Sequence, residues 1–347
     1  LPQNLDKCRT ALEALRAMKA DLFAKHEAFI VYPHYSRCSF QCKCGGQKLR
    51  TNSLSTCIMD IFGPHGNLDF SGYNIRCDKL YTPKGILTAE WVYDEKVGAP
   101  YESKNLWTDF QKEYDKVKSL VEDIDFFPDV QRWSSVLQEL GEDGIAHLRI
   151  PPTPLKFLHW LAGPERTIYF MVDYPDEISE IVKIYERKRL ELVKKVVNLP
   201  DTLVFTSGDN MDSLMYSPNI FEDMCGNSFR QIADVIHENG KLLFTHACGQ
   251  LKHIIKLCAN SGVNGMEGMA PPPLGDLCFG EARDLLGPDF VIHGGITHFE
   301  EELTGIDVES VLFTVVKQLF DKLPDKRAFI FGSGCCTSPR AQYKNLL

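Results

Sequence analysis

The second half of the chain alternates short apolar runs with longer segments whose apolar residues recur at helical spacing. After Pro175, the positions i, i+3, i+4 and i+7 of a helix with one buried face are taken by Ile178, Ile181, Val182 and Tyr185. We predict strands at six apolar runs, which are 167–173, 201–210, 241–249, 263–269, 289–297 and 327–336. We predict helices after Pro175 and near 219–238, 250–260, 277–286 and 307–322.

Repetition of a nearly continuous apolar strand and a helix is typical of a parallel sheet with helices on its faces. Two observations favour a (β/α)8 barrel over an open sheet. The chain has no glycine-rich phosphate loop after an early strand, as nucleotide-binding open sheets usually have. The last five runs also end in polar, glycine-rich or metal-binding residues, and barrel active sites form at the carboxyl ends of strands. We therefore predict an α/β fold, with a single TIM-barrel domain over residues 1–347.

The first half of the chain is less regular. We predict helices over 3–25 and near 106–121, and strands at 29–35 and 145–150. Residues 36–105 are rich in Gly, Cys, Ser and aromatic residues, without a sustained helical period. Because long loops inside compact enzymes are usually functional, we interpret this segment as an irregular N-terminal cap over the barrel mouth, with hairpins near 62–87.

Composition narrows the class of protein. The 347 residues are 44% hydrophobic and 24% charged, which is enough for a large core. A net charge of -9 argues against nucleic-acid binding, because phosphate binding needs a basic surface. No apolar run approaches the roughly 20 residues that span a bilayer, and the charged N-terminal segment is unlike a signal peptide. With 12 cysteines in a chain too large for a disulfide-stapled scaffold, we predict a reducing, cytoplasmic location.

One apolar run ends in Thr245-His246-Ala247-Cys248-Gly249. Residues two apart in a strand project to the same side, so the side chains of His246 and Cys248 can converge on one point. Imidazole and thiolate are preferred zinc ligands, and three protein ligands with one open position mark a catalytic zinc site. The third ligand is predicted at the end of the last run, at Cys335 or its neighbour Cys336. The alternative is that His246 and Cys335 are ordinary core residues.

Several stretches resemble the uroporphyrinogen decarboxylase superfamily, and within it the branch of zinc-dependent corrinoid methyltransferases. The stretches are Thr-His-Ala-Cys-Gly, the later Gly-Cys, and 208–224, 240–255, 267–276 and 293–296. The resemblance covers about 160–345. It implies a zinc site on His246, Cys248 and Cys335, and a partner protein whose corrinoid (cobalamin) cobalt gives or receives a methyl group. The Arg-Gln-Ala-Gly-Arg loop of the porphyrin decarboxylases is absent, so decarboxylation is the weaker interpretation.

The resemblance implies either an O-demethylase methyltransferase or a methylcobamide:coenzyme M methyltransferase. The segment 270–276 and the aromatic cap favour an aryl methyl ether as substrate, whereas two thiolate ligands favour a thiol. The chain lacks the Asp-x-His-x-x-Gly motif of corrinoid carriers, so the corrinoid must arrive on a partner. We expect a small-molecule methyl donor or acceptor and no nucleic-acid or membrane partner, and a homodimer fits the sequence. A zinc hydrolase and a non-enzymatic binding barrel are the remaining alternatives.

Other polar residues end the predicted strands. Glu267 and Asp209 are the candidates for catalytic carboxylates. Glu267 is expected to be a fourth zinc ligand, a proton donor or a carboxylate that supports a ligand. Asp209 and Asn210 are expected to orient the substrate or a ligand histidine. His293, before Gly294-Gly295, is a candidate for substrate binding, with a structural hydrogen bond as the alternative.

Two further groups lie in the first half of the chain. An aromatic cluster that closes the first predicted strand is a candidate substrate pocket, with plain packing as the alternative; it consists of Tyr32, His34 and Tyr35. Three cysteines have the spacing C-x3-C-x-C, which is not the iron–sulfur spacing of radical enzymes; they are Cys38, Cys42 and Cys44. We interpret them as thiols of a cap loop rather than as a second metal site.

Overall fold

The computed structural model of the chain describes residues 13, 16, 22–24, 31–44, 47–51, 74–95, 99–334, 338, 340–342 and 345. For residues 22–24, 31–34, 42–44, 47–51, 99 and 333 it describes the backbone alone. The chain divides into two compact units. Unit 1 comprises Leu1–Ile30, Val130–Pro151 and Val197–Leu347, and unit 2 comprises Val31–Asp129 and Pro152–Val196. The single domain over 1–347 stays a prediction.

The described residues contain fourteen strands, numbered along the chain. They are β1 (Leu22–Ala24), β2 (Val31–Tyr35), β3 (Ser39–Cys44), β4 (Gln47–Thr51), β5 (Ile75–Thr82), β6 (Gly85–Asp94), β7 (Ala99–Lys104), β8 (Ile124–Pro128), β9 (Gly144–Ile150), β10 (Val204–Met211), β11 (Leu242–Ala247), β12 (Gly265–Met269), β13 (Val291–Ile296) and β14 (Phe329–Ser333).

The helices with described boundaries are numbered in the same way. They are α1 (Phe110–Asp123), α2 (Val130–Leu140), α3 (Pro154–Ala162), α4 (Pro164–Asp173), α5 (Pro175–Val196), α6 (Pro218–Phe221), α7 (Asn227–Glu238), α8 (Ile255–Asn260), α9 (Phe279–Leu286), α10 (His298–Glu301) and α11 (Val308–Asp321). A π-helical segment, Glu222–Gly226, joins α6 to α7. Glu13 and Arg16 are also helical.

Unit 1 is built on a parallel sheet with the strand order β1-β9-β10-β11-β12-β13-β14. The runs predicted at 201–210, 241–249, 263–269, 289–297 and 327–336 each overlap one of its strands, as does 145–150. The predicted α/β fold with a parallel sheet is therefore confirmed. Closure into an eight-stranded barrel stays a prediction, because β1 and β14 are the outer strands of this sheet among the described residues.

The register gives the parallel sheet one apolar face. On neighbouring strands, Leu148, Phe205 and Leu243 are fully buried, and Phe205 pairs with each of the other two. In the same unit, α2 contacts β9 and α7 contacts β11, and both helices bring buried aromatic rings, among them Trp133 and Phe229. Burial of these side chains, at roughly 1.5–3 kcal/mol each, is the main stabilising contribution of this face.

The opposite face of the parallel sheet is polar and also buried. It carries five polar side chains with at most 8% exposure, which are His147, Arg149, Thr206, His246 and Glu267. Arg149 pairs in register with Thr206, and His246 pairs with Glu267. The Nδ1 atom of His147 lies 2.6 Å from the Oγ1 atom of Thr206. Buried polar groups are costly without hydrogen-bonding partners, so a face with this composition is a candidate for chemistry.

Glycine provides the room for a large side chain on this face. The ring of Phe244, on β11, lies over Gly265 of the neighbouring β12. A Cβ atom at Gly265 would lie 2.7 Å from Cε1 and Cζ of that ring and 2.9 Å from Cβ of Val291. Both neighbours are packed in the sheet, so neither can move away easily.

We predict that Gly265→Ala lowers the free energy of unfolding by about 1–3 kcal/mol, because the added methyl group overpacks the sheet. Urea denaturation measures the change. Gly226→Ala is the control, since its nearest neighbour would be the flexible, half-exposed carboxylate of Glu222. The control should change stability by less than about 0.5 kcal/mol. Equal costs for the two variants would contradict this account of the glycine.

Unit 2 contains an antiparallel sheet with the strand order β4-β3-β5-β6-β7. The prediction that residues 36–105 are irregular is therefore wrong for the described part of this segment. Buried and more exposed positions alternate along β5 of this sheet. Two of the buried positions hold the charged residues Arg76 and Asp78, so the sequence does not show the usual alternation of apolar and polar residues. The hairpin of β5 and β6, Ile75–Asp94, overlaps the predicted hairpin region. The cap's position over a barrel mouth stays a prediction.

Two other predicted elements are wrong. Residues 167–173 form the end of helix α4 rather than a strand, because Gly163 and Pro164 start a helix there and Thr167 and Phe170 are buried three residues apart. Residues 22–24, placed in the predicted helix 3–25, form β1 and pair with β9. The predicted strand at 29–35 exists as β2, but it pairs antiparallel with β8 in unit 2 and not with the parallel sheet.

A charged cluster is buried on one face of the antiparallel sheet. Arg76 Nε lies 2.9 Å from Asp78 Oδ1, and the two side chains are 1% and 0% exposed. Trp91 pairs with Arg76 on one side and with Glu102 on the other. Burial raises the pKa of Glu102 to about 8; the hydrogen bond from Asn105 opposes this rise, and the charge of Asp78 adds to it.

This shift predicts a pH dependence of stability. Above pH 4.5, the usual pKa of this carboxyl, Glu102 ionises in the unfolded chain, whereas the folded chain keeps the proton until about pH 8. Glu102 therefore lowers the free energy of unfolding as the pH rises through this window. We predict that Glu102→Gln removes this loss and becomes more stable than wild type by about 1 kcal/mol or more between pH 5 and pH 8.

Urea denaturation at several pH values tests this prediction. Glu90→Gln is the matched control, because Glu90 lies on the same sheet at an exposed position. The control should follow the wild-type profile. A constant difference between Glu102→Gln and wild type across this pH range would show that Glu102 does not retain its proton in the folded chain.

Candidate metal-binding and active site

His246 and Glu267 form a buried pair at the carboxyl ends of adjacent strands. They are register partners on β11 and β12, and the Nδ1 atom of His246 lies 3.1 Å from the Oε1 atom of Glu267. Their side chains are 11% and 5% exposed. A carboxylate in this position fixes the orientation and the tautomer of an imidazole, as it does for many metal-binding histidines.

The backbone after Glu267 is shaped to fit the imidazole. Gly268 has φ +79°, a conformation that favours glycine. A Cβ atom there would lie 2.6 Å from Cε1 and 2.9 Å from Nδ1 of His246. The order Glu267-Gly268 therefore places a carboxylate beside the ring and leaves room for the ring itself.

Cys248 follows β11 at the point where the chain turns. Its N–H donates to the carbonyl oxygen of Met211 at 3.0 Å, and the residue is half-buried. Gly249 has φ +126°, and a Cβ atom there would overlap the carboxylate of Asp212. That carboxylate accepts a hydrogen bond from the N–H of Gln250 at 3.2 Å. The turn that the sequence predicts at Gly249 is therefore present.

The predicted third zinc ligand, Cys335, and its neighbour Cys336 lie outside the described residues. The residue before them, Gly334, donates its N–H to the carbonyl oxygen of Ile296 at 2.6 Å. A Cβ atom on Gly334 would lie 3.2 Å from Cβ of Ala270. The chain therefore reaches the carboxyl ends of β12 and β13 immediately before Cys335.

The described residues contain no group of three or more His, Cys, Asp or Glu side chains arranged to hold a metal ion. The nitrogen donor of His246 on β11 and the sulfur donor of Cys248 just after it are nevertheless of the types that zinc prefers, and the carboxylate beside His246 suits a metal-binding imidazole. The donor chemistry thus fits zinc, and the complete ligand set depends on Cys335, as predicted from the sequence.

Asp209 and Asn210 lie in β10, where the pairing with β11 shifts register between Ser207 and Met211. The Oγ atom of Ser207 donates to Oδ2 of Asp209 at 2.5 Å, and Asp209 is fully buried. Asn210 is half-buried. Register shifts of this kind are common beside active sites because they re-aim side chains. The roles of both residues stay predictions.

His293 and the predicted aromatic cluster belong to different units of the chain. His293 is half-buried on β13, and its Nε2 atom would lie 3.2 Å from a Cβ atom at Gly332 of β14. Tyr32, His34 and Tyr35 belong to β2 of unit 2, and the side chains of the first two lie outside the description. Tyr35 is buried, and burial, with the charges of Cys38 and Asp123, raises its pKa.

The three cysteines predicted to lie in a cap loop are Cys38, Cys42 and Cys44. Cys42 and Cys44 belong to strand β3, so their interpretation as loop residues is wrong. Cys38 is buried, and its pKa is raised to about 12 by burial and by the Asp123 carboxylate. Asp123 also accepts the N–H groups of Arg37 and Cys38 at 2.8 Å. Cys38 is therefore a buried thiol that belongs to the packing around Asp123.

Sequence reasoning missed three residues on the polar face: His147, Arg149 and Thr206. All three are buried, and the first two lie on β9. The signal was present in the alternation of 145–150, where polar residues at 147 and 149 alternate with apolar residues at 146, 148 and 150. The apolar residues of that run predict a strand, and the two polar residues mark which of its faces is polar.

The geometry can be compared with known proteins. No protein-family model and no curated protein sequence matches the chain. The fold is similar to that of a methyltransferase from Methanosarcina mazei. The likeness has a TM-score of 0.50, with 12% sequence identity, and covers 74% of this chain and 72% of that chain. At this identity it shows a shared fold, so the corrinoid branch expected from the sequence stays a prediction.

A related finding concerns membranes. Among the described residues, none of the helices has both the length and the apolar character that crossing a bilayer requires. The cytoplasmic location predicted from the sequence stays a prediction.

We predict that His246 and Glu267 are energetically coupled in metal-free protein. His246→Ala and Glu267→Ala should each cost about 1–3 kcal/mol, because each removes the contact between these two buried polar groups. The double variant should cost less than the sum by about 1 kcal/mol, as measured by urea denaturation in the presence of a chelator. As a control, His246→Ala combined with a change of the exposed Glu238 should be additive. Additive costs for His246 and Glu267 would contradict a direct contact.

Proposed function

We propose that this protein is a zinc-dependent methyltransferase that moves a methyl group between a small substrate and the cobalt of a partner corrinoid protein. The observation that carries the proposal is the buried contact between His246 and Glu267, with Cys248 two residues further along the same chain segment. The fold shared with the Methanosarcina mazei methyltransferase supports the reaction class.

In this proposal His246, Cys248 and Cys335 hold the zinc ion. A bound zinc ion would act as a Lewis acid toward the oxygen or sulfur atom of the substrate. Glu267 orients the imidazole of His246 through the contact at Nδ1. The small exposure of both side chains keeps bulk water away, which strengthens electrostatic interactions at the site.

The substrate we favour is an aryl methyl ether, as expected from the sequence resemblance. Around the site, Asp209 is held in place by Ser207, and the half-buried Asn210 is available to orient a substrate. A second candidate is a thiol acceptor, because a ligand set with two thiolates puts electron density on the metal and favours a nucleophilic bound thiolate. The partner corrinoid protein is required in both cases.

Cys248→Ala tests the proposal through metal content and activity together. Wild-type protein should contain about one zinc ion per chain, and the variant should lose at least about 90% of it, because one thiolate ligand is removed. Methyl transfer to free reduced cobalamin, from a panel of methyl ethers and methylated thiols, should fall by at least about 100-fold. Cobalamin absorbance measures the transfer.

Cys77→Ala is the matched control, since Cys77 is equally half-buried but lies on β5 of unit 2. It should keep the zinc content and the activity of wild type. Methyl transfer that persists in Cys248→Ala would refute the proposed function. So would its absence from wild type in both directions, from every donor of the panel to reduced cobalamin and from methylcobalamin to the thiols.

A further inference from the structure

We propose, on the basis of the proposed function, that Glu301 is a positioning residue for the zinc site. Its carboxylate holds the chain segment that follows Cys335, so that this cysteine can join His246 and Cys248 as a zinc ligand. In the sequence, Glu301 is one of three consecutive glutamates, and no motif singles it out. Three features of the described residues support the role: the burial of Glu301, the hydrogen bonds on both sides of Cys335, and a second anchor at Asn345.

Glu301 is a buried carboxylate at the end of a short helix. It is the last residue of α10, and its side chain is 0% exposed. Its Oε2 atom accepts a hydrogen bond from the N–H of Ser338 at 2.7 Å, and the hydroxyl of Ser338 donates to Glu302. The Nδ1 atom of His298 lies 3.7 Å from the same Oε2 atom, too far for a hydrogen bond. Because a buried carboxylate is costly unless it accepts hydrogen bonds, the position of Glu301 depends on the segment that contains Ser338.

The residues on both sides of Cys335 are held by the same stretch of chain. Before it, the N–H of Gly334 donates to the carbonyl oxygen of Ile296, the last residue of β13, at 2.6 Å. After it, Ser338 is bound by Glu301, which ends the helix that follows β13. Gly334 and Ser338 are therefore both attached to the chain between the end of β13 and the end of α10, and Cys335 lies between them in the sequence.

Helix α10 is itself fixed to the end of β13. Thr297 donates its N–H to Oε2 of Glu300 at 2.8 Å, and its hydroxyl accepts the N–H of Phe299 at 3.3 Å. This reciprocal arrangement is a capping box, which satisfies N–H groups at the start of a helix. The carboxylate of Glu301 is thus attached, through α10, to a strand of the parallel sheet.

A second anchor holds the same segment further along the chain. The Nδ2 atom of Asn345 donates to three carbonyl oxygens at 2.9–3.1 Å, which are those of Glu300, Glu301 and Leu303. Asn345 is only 7% exposed. The N–H of Gln342 donates to the carbonyl oxygen of Glu301 at 2.8 Å. The segment is therefore attached to the end of α10 at several points, through both side chains and backbone.

This attachment matters because Cys335 is far along the chain from the other two proposed ligands. A ligand on an unattached segment loses conformational freedom when it binds the metal, and this loss lowers the affinity. A segment that folding already holds in place loses less. Replacing a residue that holds a metal ligand in place typically weakens metal binding by about 10–100-fold.

Zinc binding to the purified full chain, measured by competition with a chelating dye, tests the proposal. In Glu301→Ala the dissociation constant for zinc should rise by about tenfold or more. Glu301→Gln keeps an oxygen atom that can accept the N–H of Ser338, so its dissociation constant should stay within about threefold of wild type. In a Cys335→Ala background, Glu301→Ala should have no further effect on zinc binding, because the ligand that it positions is already absent.

Asp123→Ala is the matched control. Asp123 is also a buried carboxylate that accepts backbone N–H groups, those of Arg37 and Cys38, but it belongs to unit 2. Its replacement should lower stability and leave the dissociation constant for zinc unchanged.

An unchanged dissociation constant in Glu301→Ala would overturn the proposal, because the contacts would then serve stability alone. An equal rise in the presence and absence of Cys335 would also overturn it, because Glu301 would then not act through this ligand. Asn345→Ala is the second variant in case Glu301→Ala does not fold. It removes the other anchor and should raise the dissociation constant by several-fold, and an unchanged value there would equally overturn the proposal.

The outcomes also separate this proposal from the proposed function. Weaker zinc binding in Glu301→Ala, in a protein that transfers no methyl group in either direction, would support the role of Glu301 and refute the methyltransferase. Methyl transfer together with a zinc affinity that does not depend on Glu301 would support the methyltransferase and refute the positioning role. A wild-type protein that binds no zinc would overturn both.

Discussion

Three large polar side chains of the parallel sheet each lie against a glycine of the next strand, where the missing Cβ atom leaves room for them. Arg149 lies against Gly208, His246 against Gly268, and His293 near Gly332. Each pair joins neighbouring strands, so the spacing of about 4.8 Å between strands fixes which residues can meet. These glycines therefore leave room for a guanidinium group and two imidazole rings at the pairs of strands that carry them.

One face of the parallel sheet contributes mainly to stability, and the opposite face carries the polar residues of the candidate site. The apolar face, with Leu148, Phe205 and Leu243, is fully buried and supplies the hydrophobic contribution to folding. The polar face holds the contact between His246 and Glu267 and the buried Arg149. Because adjacent parallel strands end at the same edge, residues distant in sequence come together there.

Much of unit 1 could be predicted from the sequence because its strands are short apolar runs separated by helices. The carboxyl-terminal positions of His246 and Glu267 followed from those runs, and their contact follows from the register. Residues 167–173 were misassigned because a short apolar run fits both a helix and a strand; Gly163-Pro164 decides for a helix. The antiparallel sheet was not predicted, because two buried positions of its strand β5 hold the charged residues Arg76 and Asp78 instead of apolar ones. Arg149 was not predicted to lie on the polar face of the sheet, because the register of β9 and β10, and not its spacing along the chain, brings it to Gly208.

The central claim is that a nitrogen from His246 and the sulfur atoms of Cys248 and Cys335 bind one zinc ion. Zinc K-edge X-ray absorption of the purified protein tests this claim most directly. We expect two sulfur scatterers at about 2.3 Å and at least one nitrogen or oxygen scatterer at about 2.0–2.1 Å. A first shell of nitrogen and oxygen atoms alone, or a protein that binds no zinc, would contradict it.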